Sequence, residues 1–554
     1  MDDVKISVID DIEHIQKYPG MYIGSTNNPD HLLQEILDNS IDELLNGYAT
    51  NIHIIIENNK CQIEDDGRGI PIHQILINDK LEDSIVVACT KLHSGAKFEN
   101  SAYNFSIGMH GIGLVAVNSL SKHMIVSVTK ETQIYSYYFT DGKFINQTIE
   151  PNLENKKGTI VYFEVNKKFF NSNVFDISKI KSKLILTKHK IPNCNLYLND
   201  EEIQYLNKDE YYKYILDLQN VEDLCKCEFN SNNISLELAF KYNNSTYICG
   251  DVNLHKCDGY YINNIITKIL EIVKLKINTE NITTSDITNN LRLYVSCYIK
   301  NPRFDSQTKQ FMEISISKYL NEDFKKILNE NINETFLNII KQKYLKKIQK
   351  KISSTGKRVD NKNPLVDARK IPAENLYIVE GESAGGTVRD IINNDIEGVF
   401  PVTGKIMNVN NNSIDDIINS KKMSFLLEAL GVDLTSKEEN FRYKNIKILG
   451  DADSDGGHIC VLIILTLFKF APRLISEGRV SLILPPLYGG YDNKKFIPIY
   501  SKNTNIKITK RFKGLGEMNP NELEVIIRNK YEYQLQMPSK LIIDKIIKIL
   551  MNLY

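Results

Sequence analysis

Twice in the last third of this 554-residue chain, a short apolar run ends, turns through glycine and passes into a helical pattern. The first unit is Leu376-Tyr377-Ile378-Val379-Glu380, then Gly381-Glu382-Ser383-Ala384-Gly385-Gly386, then Thr387-Val388-Arg389-Asp390-Ile391-Ile392. The second is Ile446-Lys447-Ile448-Leu449-Gly450, then Asp451-Ala452-Asp453-Ser454-Asp455-Gly456-Gly457, then an apolar stretch from His458 to Phe470. Strands that feed helices in this way belong to a parallel sheet, because parallel strands need a crossover connection. The pattern therefore predicts an α/β domain. Its sheet can set Glu380, at the end of one strand, beside the acids that follow the other.

The spacing of those acids is informative. Side chains at i and i+2 of an extended segment point the same way, so Asp451, Asp453 and Asp455 share a side. Three carboxylates held this close repel unless a cation neutralises them. A surface acid cluster is the plainer alternative, and calcium loops share the DxDxDG pattern. A calcium loop closes on a glutamate at its twelfth position, however, and Leu462 stands there. The set suits Mg²⁺ held against a phosphodiester.

The N-terminal part carries a second acidic site. Residues 31–47 predict a helix: Leu32, Leu33, Ile36, Leu37, Ile41, Leu44 and Leu45 recur near the helical period, and Gly47 can end it. Glu35 and Asn39, four apart, share one face of it. A carboxylate there can activate a water for attack on a γ-phosphate, and an amide oxygen one turn on can complete a Mg²⁺ shell. Residues 51–57 and 60–65 read as strands leading into Asp65-Asp66-Gly67-Arg68-Gly69-Ile70-Pro71. A carboxylate beside a glycine turn can accept from an adenine amino group, although DDGRG alone also makes an ordinary turn. Gly108-Met109-His110-Gly111-Ile112-Gly113 can close over phosphates with backbone N–H groups. Each piece alone is weak. The fixed order of a triphosphate site followed by a metal site points to ATP driving cut-and-reseal chemistry on a nucleic acid.

Composition limits the alternatives. The length suits roughly three or four domains. No run approaches the ~18–20 apolar residues of a membrane span. The acidic start Met1-Asp2-Asp3 lacks a signal-peptide core, so the expected location is the cytoplasm, in the nucleoid or another DNA-containing compartment. Nine scattered cysteines without a Cys-x-x-Cys pair suit reduced thiols and give no support for zinc. The net charge of −1 does not announce DNA binding. The basic stretches are local, at 341–351, Lys357-Arg358 and Lys510-Arg511-Phe512-Lys513. Residues 158–165 read as a strand, 166–310 as alternating short strands and helices, 311–353 as largely helical, and 354–372 as a polar linker.

Taken together, the N-terminal motifs resemble the GHKL ATPase fold, and more narrowly the B subunit of bacterial gyrase and topoisomerase IV. Pro19-Gly20-Met21-Tyr22-Ile23-Gly24, Lys91-Leu92-His93-Ser94-Gly95-Ala96-Lys97-Phe98 and Gly158-Thr159 fall where that family has them. Glu380 with the aspartates resembles the TOPRIM domain. Gly404-Lys405-Ile406-Met407-Asn408-Val409 and Arg511-Phe512-Lys513-Gly514-Leu515-Gly516-Glu517-Met518 resemble its type IIA topoisomerase form. The resemblance runs from about Ile12 to Pro520. It implies an α+β multidomain chain: a GHKL (Bergerat) ATPase α/β sandwich at 1–165, a transducer α+β domain at 166–353, a linker at 354–372 and a TOPRIM α/β parallel-sheet domain at 373–554.

It also implies roles. Glu35 is the general base, Asn39 the Mg²⁺ ligand and Asp65 the adenine reader beside Gly69, with Thr159 in support. Lys97 and the loop Gly108, His110, Gly111, Ile112 and Gly113 contact phosphates. Gln307-Thr308-Lys309 matches a transducer loop whose lysine reaches the γ-phosphate. Glu380 is an acid/base at the 3′ oxygen and also a metal ligand, Asp451, Asp453 and Asp455 hold metal with it, and Lys405 and Lys513 approach the DNA backbone. No tyrosine stands in the arginine-tyrosine setting of the cleavage domain, so the nucleophile is expected from an A-type partner subunit. Double-stranded DNA, ATP and Mg²⁺ complete the expected set, together with homodimerisation of the ATPase domain.

The chain also departs from its relatives. The arm before Pro19 is short, and Gln16-Lys17-Tyr18 replaces a basic stretch. Glu382 stands where aspartate is common, Val402-Thr403 departs before Gly404-Lys405, and the likeness fades after Asn521. Two other readings are a GHKL ATPase acting as a repair clamp or chaperone, and a non-catalytic regulatory subunit of a topoisomerase. The first leaves the aspartates and RFKGLGEM unexplained. The second has no need of Glu35 and Glu380 together.

Overall fold

The computed structural model describes residues 9–77, 79–94, 111–130, 132–355, 363–435, 440–451, 453–500, 506–529 and 532–536. The chain forms two compact units, residues 1–272 with 287–337, and residues 273–286 with 338–554.

The first unit is built on an eight-stranded sheet. Its order is Glu201–Glu202, Asn195–Leu198, Asn51–Glu57, Lys60–Asp65, Gly158–Val165, Ser121–Thr129, Gln133–Thr140 and Lys143–Pro151. All neighbours are antiparallel except Asn51–Glu57 with Asn195–Leu198. One face carries the helices Asp30–Leu45 and Gly113–Leu120. Leu32, Leu33, Leu37 and Ile41 of the first helix and Val115 and Val117 of the second are fully buried in the shared core. Burying this much apolar surface is the main force that fixes the helices on the sheet. The polar residues left on the same helix face, Glu35 and Asp38, are thereby carried inside.

A second sheet in this unit runs Cys225–Asn230, Ile234–Tyr242, Leu291–Ile299, Tyr247–Val252 and His255–Lys256. The parallel pair of Tyr247–Val252 with Leu291–Ile299 brings the end of the former, and the turn to His255, alongside the chain that leads into residues 300–312. Helices follow at Glu322–Asn331 and Glu334–Thr355; the second passes into the second unit after Leu337 and ends two residues beyond the 311–353 stretch whose spacing predicts helix.

The second unit holds the parallel sheet foreseen from the two strand–turn–helix runs. Its order is Glu397–Val402, Ala373–Glu380, Tyr443–Leu449, Val480–Ile483 and Glu532–Gln534, the first four parallel and the last antiparallel. Helices Glu382–Ile391 and Ser454–Phe470 leave the ends of the two central strands. Both acidic ends therefore lie at the same edge. Among the described residues no helix is long and apolar enough to cross a membrane. All nine cysteines are buried and free.

Candidate functional sites

In the first unit the helix Asp30–Leu45 supplies the acid. Glu35 is 7% exposed, and Asn39 lies one turn on. The N-terminus of helix Gly113–Leu120 comes so close to Glu35 that a Cβ built on Gly113 would lie 2.3 Å from Oε2. His31, one turn earlier, places Nε2 3.4 Å from Glu35 Oε1. Lys309 arrives from the far end of the unit and places Nζ 3.4 Å from the same oxygen. It is 1% exposed. Burial alone would lower the Lys309 pKa, but the Glu35, Asp38 and Asp42 carboxylates outweigh burial and raise it. The ammonium thus stays charged inside the protein, with Gln307 two residues away in the same turn.

Asp65 ends the strand Lys60–Asp65. Ser40 Oγ donates to its Oδ2 at 2.8 Å, and the Gly67 N–H donates to Oδ1 at 3.0 Å. Burial pushes its pKa up to about 6 despite those bonds. Thr159 is its cross-strand partner. At Gly158 (φ +139°) a Cβ would sit 1.9 Å from the Asp65 carbonyl oxygen, so only glycine fits there. Gly69 adopts φ +74°, with Val128 and the Gly158 carbonyl close by. Gly111, at φ +62°, and Ile112 lead into the second helix. Lys97, Gly108 and His110 lie outside the described residues. The arrangement is a buried carboxylate with a nearby cation, beside a glycine-lined acceptor, and these groups fit a nucleotide triphosphate.

Sequence reasoning passed over several of the buried charges here. Asp38, on the same helix, is 1% exposed and pairs with Lys183 and Lys309. His255 lies 3.6 Å from it. Asp38 was open to discovery by its helical spacing from Glu35. Its partners come from far along the chain and carry no local signal.

In the second unit Glu380 Oε2 accepts from the Asp451 N–H at 2.9 Å, which joins the two strand ends. Asp451 Oδ1 accepts from the Leu515 N–H at 2.8 Å, and Gly514 packs so tightly that a Cβ on it would lie 2.5 Å from Asp451 Oδ2. The Lys513-Gly514-Leu515 segment is thus brought to the acids. Asp453 caps helix Ser454–Phe470 through a 2.8 Å bond from the Gly456 N–H. Asp455, in the first turn, lies 3.4 Å from Lys405 Nζ. Lys405 and Lys513 are both exposed.

Burial and then the charges of Asp451, Asp453 and Asp455 raise the Glu380 pKa. Four carboxylates offer hard oxygen donors, and a divalent cation held among them would relieve this repulsion. Among the described residues no three His, Cys, Asp or Glu side chains form a ready-made metal cage.

Three family models match the chain: Histidine kinase-, DNA gyrase B-, and HSP90-like ATPase over residues 24–168, DNA gyrase B over 200–362, and the Toprim domain over 375–483. The DNA gyrase B subunit of Clostridium acetobutylicum is 30% identical over 94% of this chain and 90% of its own length. The DNA topoisomerase 4 B subunit of Francisella tularensis is 31% identical, again over 94% of this chain and 90% of its own length. The crystal structure of the ATPase region of Saccharomyces cerevisiae topoisomerase II shares the fold, with a TM-score of 0.52 over 60% of this chain and 98% of that one at 18% identity.

Fold and sites define a GHKL ATPase joined through a gyrase B-type transducer to a Toprim domain, the architecture of a type IIA topoisomerase ATPase subunit. The chain belongs to the family of gyrase B and topoisomerase IV B subunits. Its domains imply ATP and a divalent metal, and its family implies an A-type partner and DNA.

Proposed function

We propose that this chain couples ATP hydrolysis to passage of one DNA duplex through a break in another, with the cleaving tyrosine on a partner A-type subunit. The observation that carries the ATP half is the Glu35–Lys309 pair, a buried acid and a cation 3.4 Å apart. The Glu35 carboxylate takes the proton of the attacking water. Lys309 offsets charge that builds on the γ-phosphate. Asp65 accepts from the adenine amino group, with its cross-strand partner Thr159 supporting that contact and Gly69 shaping the turn. Lys97 and the stretch Gly108, His110, Gly111, Ile112 and Gly113 line the phosphates. Asn39 would ligate the Mg²⁺ that accompanies the nucleotide, and Gln307, in the turn that carries Lys309, contacts the nucleotide. Loss of the γ-phosphate removes one anionic partner of Lys309 and returns it to Glu35 and Asp38, a change of partner that can move the loop that carries it.

At the acidic sheet edge, Glu380 moves a proton at the 3′ oxygen, and Glu380, Asp451, Asp453 and Asp455 would hold Mg²⁺. That cation supplies charge stabilisation at the reacting phosphate when bound. Lys405 and Lys513 lie along the DNA backbone. The working divisions are an ATPase domain at 1–165, a transducer at 166–353, a linker at 354–372 and a metal domain at 373–554. Two copies pair through the ATPase domains with two A-type chains, in a cytoplasmic DNA-containing compartment.

The test is strand passage. The chain is mixed with its A-type partner, supercoiled plasmid, Mg²⁺ and ATP, with Glu35→Ala and Asp453→Ala alongside. Topology should change in steps of two linking numbers and stop in both variants. ATP hydrolysis with no topology change under any partner would instead favour a clamp or regulatory role.

A further inference from the structure

The chain passes between its two compact units three times, after Ile272, after Asp286 and after Leu337. Two segments of the second unit therefore receive every one of these crossings, residues 273–286 and the helix Glu334–Thr355 from Asn338 onward. Within that helix Tyr344, Ile348 and Ile352 are buried. They recur every four residues, so one stripe of the helix faces inward. Gln349 stands beside this stripe and bridges to the backbone. Its Oε1 accepts from the Leu434 N–H at 3.0 Å, and its Nε2 donates to the Val432 carbonyl at 3.2 Å. One side chain thus serves both backbone groups just past the helix Lys421–Leu430.

Asp415 makes a second bridge, from the first turn of helix Ile414–Asn419. The Tyr344 hydroxyl donates to its Oδ2 at 2.6 Å, and the Thr279 hydroxyl donates to the same oxygen at 2.5 Å. Thr279 lies just past the helix Tyr260–Ile277 and accepts in turn from the Asn281 N–H at 3.2 Å. Burial and then Asp415 raise the Tyr344 pKa, so its hydroxyl keeps the proton it donates. Thr279 and Tyr344 are both buried. Losing Asp415 would strip two buried hydroxyls of their acceptor, which costs more than never making the bonds. Lys347 Nζ, 3.2 Å from Asp286 Oδ2, ties the same two segments together again. One carboxylate thus gathers both segments that lead in from the first unit. Along the chain it follows Lys405, whose Nζ lies 3.4 Å from Asp455 at the acidic sheet edge.

We propose that Asp415 and Gln349 form a coupling joint, holding the segments through which the first unit enters the second, so that motion begun at ATP reaches the acidic sheet edge and is not lost in the polar stretch that follows the helix. The proposal rests on the reading that ATP hydrolysis drives strand passage. The joint stays closed through the cycle, because its hydroxyls and carboxylate satisfy one another only when all three segments meet.

The experiment has two arms, both on the full chain. In the first, the A-type partner, supercoiled plasmid, Mg²⁺ and ATP are present. Asp415→Ala combined with Gln349→Ala should lower strand passages per ATP hydrolysed by at least about fivefold, while basal ATP hydrolysis and Mg²⁺-dependent DNA cleavage stay within about twofold of wild type. Asp415→Asn keeps an acceptor oxygen and should return most of the coupling. In the second arm, hydrogen exchange of the chain alone should quicken in the double variant at residues 338–355 and at the Leu434 amide, with strands Ala373–Glu380 and Tyr443–Leu449 unchanged. Unchanged exchange would overturn the joint itself. Faster exchange with unaltered passages per ATP would overturn its part in coupling. A parallel fall of ATP hydrolysis, cleavage and passage, together with the melting temperature, would reduce both bridges to a brace of the fold. Wild type that hydrolyses ATP without strand passage under any partner would remove the coupling reading, and faster exchange in the double variant would then leave only the docking of the helix standing.

Discussion

A Cβ on Gly113 would lie 2.3 Å from Glu35 Oε2 and 3.2 Å from Glu35 Cβ, so the start of one helix is moulded onto the acid of another. Gly113→Ala puts a methyl group where the carboxylate now sits. Alanine at the first turn of a helix costs nothing in propensity. The Glu35 side chain must turn away from its place beside Lys309. ATP turnover should fall roughly 10- to 100-fold, as misplacing a catalytic group does, while the melting temperature stays near that of the wild type. Steady-state ATPase rates beside thermal unfolding check this, and an unchanged kcat would mean the Glu35 geometry is unimportant.

Glu35→Gln keeps the side-chain volume but removes the proton acceptor. Hydrolysis should be lost by about 10²-fold or more. Binding of a non-hydrolysable ATP analogue should survive, because Asp65 and the glycine turns remain. Equilibrium binding and single-turnover hydrolysis separate the two effects. Loss of binding along with hydrolysis would make Glu35 a structural residue.

Asp65 is expected to trade stability for recognition. Its pKa rises from 3.8 in the unfolded chain to about 6 in the fold, chiefly through burial. The folded state therefore holds its proton more tightly. The stabilisation this proton supplies is complete below about pH 4 and is lost as pH rises through about 6. Asp65→Asn should flatten the dependence of melting temperature on pH across that window. At neutral pH it should gain up to about 3 kcal/mol. The same variant should bind ATP more weakly, since an amide offers adenine a poorer acceptor. Wild-type ATP affinity should also weaken as pH falls below about 6. Identical pH profiles of stability for the two proteins would refute the burial effect.

Asp453 has two jobs that substitution can part. It caps helix Ser454–Phe470 through Gly456, and it is a proposed metal ligand. Asp453→Ala should lose both the cap, at about 1 kcal/mol, and DNA cleavage. Asp453→Ser keeps a good cap and should restore most of the stability without restoring Mg²⁺-dependent cleavage in the complex with an A-type partner. Basal ATP hydrolysis should be unaffected in both. Cleavage rescued by serine would remove Asp453 from the metal set.

Local pattern reached a long way into this protein. Apolar spacing places a helix at 31–47, and the structure has it at Asp30–Leu45, with Gly47 in a left-handed turn just past its end. The two strand–turn–helix runs in the last third demand a parallel sheet. That sheet sets Glu380 against Asp451, because Glu380 ends one strand and Asp451 follows its parallel neighbour. These features are legible because each depends on periodicity or on turn chemistry within a few residues.

The charge arrangement around Glu35 is of another kind. Lys309 could be matched to a family loop, but neither its burial nor its sharing between Glu35 and Asp38 follows from neighbouring residues. Lys183 and His255 meet Asp38 only after the sheets and helices have packed, across 145 and 217 residues of chain. A one-dimensional pattern records which side of a helix faces the core. It does not record which distant ammonium will be buried opposite a given carboxylate. That choice belongs to tertiary packing, because an ion taken out of water is tolerated only where a partner is held within a few ångströms of it. The sequence by itself determined the elements and the identities of the acids. The assembled fold decided which cation each acid would answer to.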